Sequence, residues 1–96
     1  MKNNQSIEDI FAQITTKNEM KELFSEILTD KEQADLAMRW QLMLELNANV
    51  SQREIAKKYH LSLCKITRGS KVLQKKGSIC KQIMNSKEEQ YKMGGY

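Results

Sequence analysis

The sequence predicts a small all-α domain, and three observations carry that prediction. Apolar residues recur at the 3.6-residue helical period in several separate stretches. Hydroxyl residues that start helices stand at the head of most of them, twice in the form of a capping box. The 96 residues contain no proline, and 40% are hydrophobic against 29% charged, a balance that suits a folded helical chain better than a disordered one. Nothing in the pattern demands a strand. A single domain over 1–96 is expected. A domain of this size buries well under three-quarters of the surface its unfolded chain exposes, so it gains much from association, and a dimer is the expected state.

Taken in order, Ile7, Ile10, Phe11 and Ile14 form the first amphipathic stripe, and Met20, Leu23, Phe24 and Ile27 repeat it after a polar break from Thr15 to Asn18. "TDKE" at 29–32 has the capping-box form, with Thr29 accepting a backbone N–H bond while Glu32 reaches back. A third helix, the longest, should start there and end near Asn47 to Asn49. Leu36, Trp40 and Met43 form its stripe; Leu42, Leu44 and Leu46 widen it beyond what one small core covers, so this helix should be buried from two sides. "SQRE" at 51–54 is the second capping box and opens a short helix with Ile55 and Ala56 inward and Lys57 and Lys58 outward. Ser62 should cap the next helix, with Leu63, Ile66 and Leu73 facing inward. Gly77 ends that helix, and Ser78 caps a last one carrying Ile79, Ile83 and Met84. The tail, about 86–96, has no apolar stripe and should fray.

Several function classes are excluded by what the chain lacks. Cys64 and Cys80 are too few for a disulfide framework, and no charged-then-apolar leader precedes the first helix, which points to a cytoplasmic chain with free thiols. No apolar run approaches the roughly 18 residues of a membrane span. His60 and the two cysteines have no paired metal-ligand spacing, so no metal is expected. With one histidine, no Gly-rich phosphate loop and no nucleophile motif, nothing assembles an acid–base pair, and the chain is not expected to be an enzyme.

Charge is distributed unevenly. Residues 51–82 hold nine basic residues against Glu54 alone, a net of +8, while the rest of the chain, with seven basic and eleven acidic residues, carries −4. A basic module on an acidic body points to a polyanionic partner, because neutralising phosphates releases counterions; a merely solvated charged face is the bland alternative. Within the module, a short helix, a turn of about four residues and a second helix, with small Ala56 inside the first, form the helix-turn-helix arrangement over about 51–74. Ile55 and Ile66 seal the angle between the helices, which leaves Ser62, Cys64, Lys65 and Thr67 along the start and outer face of the second. His60 stands where such turns usually carry glycine for a left-handed backbone.

The stretch "SQREIAKKYHLSLCKITRGS" strongly resembles the DNA-binding segment of the Trp repressor family, whose hallmark is an S-Q-R-E start followed by I-T-R-G-S, here Ser51 to Glu54 and Ile66 to Ser70. The likeness continues upstream through "EILTDKEQADLAMRW", residues 26–40, and covers roughly 20–73. It implies a six-helix, intertwined homodimer that binds a palindromic, double-stranded operator DNA with L-tryptophan as corepressor, the ligand lying between the third helix and the second helix of the reading motif.

Carried over residue by residue, the resemblance gives Arg39 the ligand's carboxylate and has Arg68 stack on one face of the indole while Arg39 closes the other. Without the resemblance, Arg39 reads equally well as an arginine snorkelling beside the core or pairing with Asp35. Leu28 and Thr29 would offer backbone and hydroxyl groups, and Gly69 would admit the indole to the backbone. Val72 departs from the pattern, standing where the family usually has a hydroxyl that helps hold the ligand's amino group. Weaker tryptophan binding, or a regulator that works without tryptophan, follows from that departure. On DNA, Arg53 is the expected guanine contact, since its fork matches O6 and N7. Gln52 and Thr67 would contact phosphates, and Ser62, Cys64 and Lys65 face the groove, where the family reads partly through water. Lys57, Lys58, Lys71 and Lys75 would add attraction blind to sequence. The reading from another class is a helical protein-interaction adaptor.

Overall fold

The computed structural model describes residues 5–94, with side chains through 86. Among these residues the secondary structure is six helices and no strand: α1 (Ile7–Gln13), α2 (Lys17–Ile27), α3 (Asp30–Asn47), α4 (Gln52–Tyr59), α5 (Leu63–Gln74) and α6 (Ile79–Gly94). The chain divides into two compact units, Met1–Leu36 and Ala37–Tyr96. The backbone of the tail expected to fray continues α6 through Gly94, and its side chains beyond 86 lie outside the described residues.

In the first unit, local side-chain bonds start each helix. Ser6 and Asp9 form a reciprocal capping box at α1, each backbone N–H donating to the other's side chain at 3.1 Å. Thr16 accepts from the Glu19 N–H at 3.2 Å at the head of α2. The box at Thr29 is complete: the Glu32 N–H donates to Thr29 Oγ1 at 3.1 Å and the Thr29 N–H to Glu32 Oε1 at 2.8 Å. These bonds hold the Glu32 carboxyl below its ordinary range. Phe11 and Phe24 meet with ring centroids 5.9 Å apart, joining α1 to α2. No residue of α1 or α2 is buried, and Ile7 and Ile27 are exposed.

The second unit holds the core: Leu42 and Met43 from α3, Ile55 from α4, Ile66 and Leu73 from α5, and Met84 from α6. Trp40, Leu46, Val50, Ala56, Tyr59, Leu61 and Cys80 pack against it. Ile55 and Ile66 are both 0% exposed, each contributing about 1.5–3 kcal/mol by burial. They seal the angle between α4 and α5 as expected.

His60 does adopt the left-handed conformation (φ 55, ψ 44), and the Leu61 N–H then donates back to the Ala56 carbonyl at 3.0 Å. A side chain there costs about 1–2 kcal/mol that glycine would not, offset by the turn bond and by core burial on either side. Gly77, with φ +74, makes the turn between α5 and α6.

Three local expectations are corrected. "SQRE" forms only half of its box: the Glu54 N–H donates to Ser51 Oγ at 3.2 Å, without a return bond from Glu54. Ser62 occupies the N-cap of α5, but its hydroxyl makes no cap bond. Leu63 is 51% exposed instead of inward, because the buried face of α5 runs through Ile66, Gly69 and Leu73, and Leu63 lies at the helix's first residue, ahead of that face. Ser78 does cap α6, accepting from the Lys81 N–H at 3.3 Å. Among the described residues no helix is long and apolar enough to cross a membrane, and Cys64 and Cys80 are free thiols.

Candidate nucleic-acid interface

The α4–α5 pair buries Ile55, Ile66 and Leu73 in the core and leaves most of its charged residues outward, with Leu63 exposed among them. Arg53 on the first turn of α4 is exposed, as are Ser62, Cys64 and Lys65 at the start of α5. Lys57, Lys71 and Lys75 are exposed as well, so the cationic groups stand in solvent where a polyanion reaches them.

Gln52 and Thr67 are brought together: Thr67 Oγ1 donates to Gln52 Oε1 at 3.1 Å, tying the start of α4 to the middle of α5. With the hydroxyl proton committed to that bond, the Gln52 NH2 group is the donor this pair offers to a phosphate. Lys58 differs from the other lysines. Its Nζ lies 3.2 Å from Glu45 Oε1, and that bond and charge hold the ammonium above the ordinary lysine range. The Tyr59 hydroxyl also donates to Glu45, and this bond first, with help from Gln41 and Lys58, holds the carboxyl below its ordinary range against partial desolvation. Sequence reasoning missed Glu45 and Tyr59; the available signal was a lone acid inside "LMLEL".

A profile of the family described as "Trp repressor protein" matches residues 2–90. The chain belongs to the Trp repressor family. This family is one of regulators. Similar proteins named "Trp operon repressor homolog" include one from Chlamydia trachomatis serovar D, 41% identical over 56 residues, which are 57% of this chain and 60% of that one. The chain thus spans about 60% of the length of that Chlamydia trachomatis relative. One from Xylella fastidiosa is 42% identical over 66 residues, 68% of this chain and 72% of that one. Another, from Chlamydia caviae, is 31% identical over 84 residues, 86% and 83% of the two chains. No solved structure matches.

The remaining candidate residues are those that the resemblance to the family assigns to an amino-acid ligand. Leu28 and Thr29 belong to the first unit; Arg39, Arg68, Gly69 and Val72 belong to the second. The Leu28 carbonyl already accepts from Gln33 Nε2 at 3.3 Å, and the Thr29 hydroxyl accepts from the Glu32 N–H at 3.1 Å, so both groups have structural duties. Arg39 and Arg68 are exposed, and among the described residues no hydrogen bond links either to another candidate residue. Val72 is 36% exposed.

Gly69 has a second reason to be glycine. A Cβ there would lie 2.9 Å from Leu42 Cδ1, 3.2 Å from Met43 Cγ and 3.4 Å from Leu46 Cδ1, so the missing side chain is what lets α5 close on α3.

Proposed function

We propose that this protein is a cytoplasmic, sequence-specific repressor that binds double-stranded operator DNA as a homodimer, with L-tryptophan as corepressor. The observation that carries the reading is the α4–α5 pair itself: two helices locked by fully buried Ile55 and Ile66, with Arg53, Cys64 and Lys65 exposed on a segment of net charge +8. In that arrangement Arg53 reads a guanine edge, Gln52 and Thr67 meet a phosphate as a bonded pair, and Ser62, Cys64 and Lys65 face the groove. Lys57, Lys71 and Lys75 supply long-range attraction.

The test is binding to operator and random duplexes across a salt series. Arg53→Ala should cost about 1–3 kcal/mol on the operator and far less on random sequence. Lys71→Ala should weaken both alike and lower the salt slope by about one. Equal losses on both duplexes for Arg53→Ala would remove it from the reading set, and a flat salt dependence would favour the adaptor reading.

Homodimerisation is supported by apolar side chains left exposed on the single chain, among them Leu36, Leu44, Ile79 and Ile83. A second copy of the chain covers such surface, which a domain of this length cannot bury alone. Sedimentation equilibrium at micromolar concentration should return twice the 11.2 kDa chain mass; a folded monomer would overturn the dimer.

Arg39 and Arg68 are the residues assigned to the corepressor, Arg39 on its carboxylate and Arg68 stacked on its indole. Their delocalised, permanently charged guanidinium groups suit both tasks. Val72 supports the second reading, a regulator of the same family that works without tryptophan, because a valine offers no hydrogen bond to the ligand's amino group.

A further inference from the structure

Glu45 is a lone acid among the apolar residues in the second half of α3, and its side chain is only 12% exposed. Three donors converge on it. Lys58 Nζ meets Oε1 at 3.2 Å, while Oε2 accepts from the Tyr59 hydroxyl and from Gln41 Nε2 at 3.3 Å. Lys58 and Tyr59 are the last two residues of α4, so a single carboxylate on α3 gathers both polar groups at that helix end. Lys58 Nζ also lies 5.2 Å from the centroid of the Tyr59 ring, which closes the cluster.

Energetics assign the roles within this cluster. A carboxylate withdrawn this far from water is costly unless its oxygens are bonded, and here both are. The lysine side chain is 61% exposed, so its charge is screened and adds little by itself. The hydroxyl of Tyr59, a residue packed on the core, carries most of the fixing.

We infer that Glu45 is a positioning residue for the reading head. It fastens the last turn of α4 to α3, thereby sets the direction of the exposed start of α5, and keeps Lys58 out of the phosphate-binding set. The inference rests on the DNA-reading role proposed for α4 and α5. Its consequence is that the head is partly ordered before DNA or any ligand arrives, which raises the binding-competent fraction of the free protein.

Two variants test it, Glu45→Gln and Tyr59→Phe, the second keeping its ring in the core in case the first unfolds. In the DNA-free protein, the amides of α4 should exchange about three- to tenfold faster in both variants, while those of α6 keep their wild-type rates. Operator affinity should fall by a similar factor of about three to ten relative to random-duplex affinity, which Tyr59→Phe should maintain and Glu45→Gln should raise, with a salt slope steeper by up to about one as Lys58 is released to phosphate. Unchanged α4 exchange in both variants overturns the inference, as do operator and random-duplex affinities that fall together. If the wild type binds no duplex, the DNA-reading role fails, and the exchange measurement still decides the fastening role.

Discussion

Ile66→Ala should lower the unfolding free energy by about 2–5 kcal/mol, whereas Leu63→Ala, one turn earlier on the same helix, should cost less than about 1 kcal/mol. Ile66 is fully buried against Ile55 and the α3 residues of the core, so truncation removes apolar contacts and leaves a cavity that close-packed neighbours only partly fill. Leu63 is half exposed, and water replaces what its side chain loses. Domains of this size hold only about 5–15 kcal/mol in total, so the Ile66 variant should be folded but marginal. Urea unfolding at one fixed chain concentration measures both, which keeps the proposed dimerisation out of the comparison. Equal costs at the two positions would mean that α5 is rotated from the phase described. Through Ile55, the same cavity loosens the α4–α5 angle, so operator binding by Ile66→Ala should weaken more than its folded fraction alone accounts for.

Saturating L-tryptophan should strengthen operator binding by about 1–3 kcal/mol, the usual span of allosteric coupling, and operator DNA should strengthen tryptophan binding by the same factor. The coupling arises if one small molecule bridges Arg39 on α3 and Arg68 on α5, because it then favours the head orientation in which both arginines reach it. Arg39→Ala should abolish the response while leaving the helical content, the dimer and the weak nonspecific binding by the lysines intact, since Arg39 is exposed and outside the core. Val72→Ser, which restores a hydroxyl at a partly exposed position, should tighten tryptophan binding without a folding penalty of note. Titration calorimetry with L-tryptophan, beside operator binding with and without it at fixed salt, measures each arm. An operator affinity indifferent to tryptophan in the wild type would replace the corepressor with a ligand-independent regulator.

Much of the local structure was legible in the sequence because it depends on bonds that span three or four residues. The box at Thr29, the cap at Ser78 and the left-handed turn at His60 are fixed by backbone geometry and by side chains a single turn away. Helical period likewise identified the six helices and the Ile55–Ile66 seam. Periodicity defines a stripe, however, and not which edge of that stripe meets the core. Leu63 therefore read as inward, while the actual face of α5 passes through Gly69, a residue with no side chain for a hydropathy pattern to register. Whether a cap closes is also a matter of hydroxyl orientation, which is why Ser62 sits at its expected position without its bond. Only the tertiary fold could bring Glu45 against Lys58 and Tyr59, thirteen and fourteen residues away, or decide that Gln52 and Thr67 bond to each other. The sequence by itself determined the helices, their punctuation and the basic charge of residues 51–82, since each is a property of neighbouring residues. The tertiary structure decided which lysine of α4 is held by a carboxylate and why Gly69 must lack a side chain, since both depend on how closely α4 and α5 approach α3.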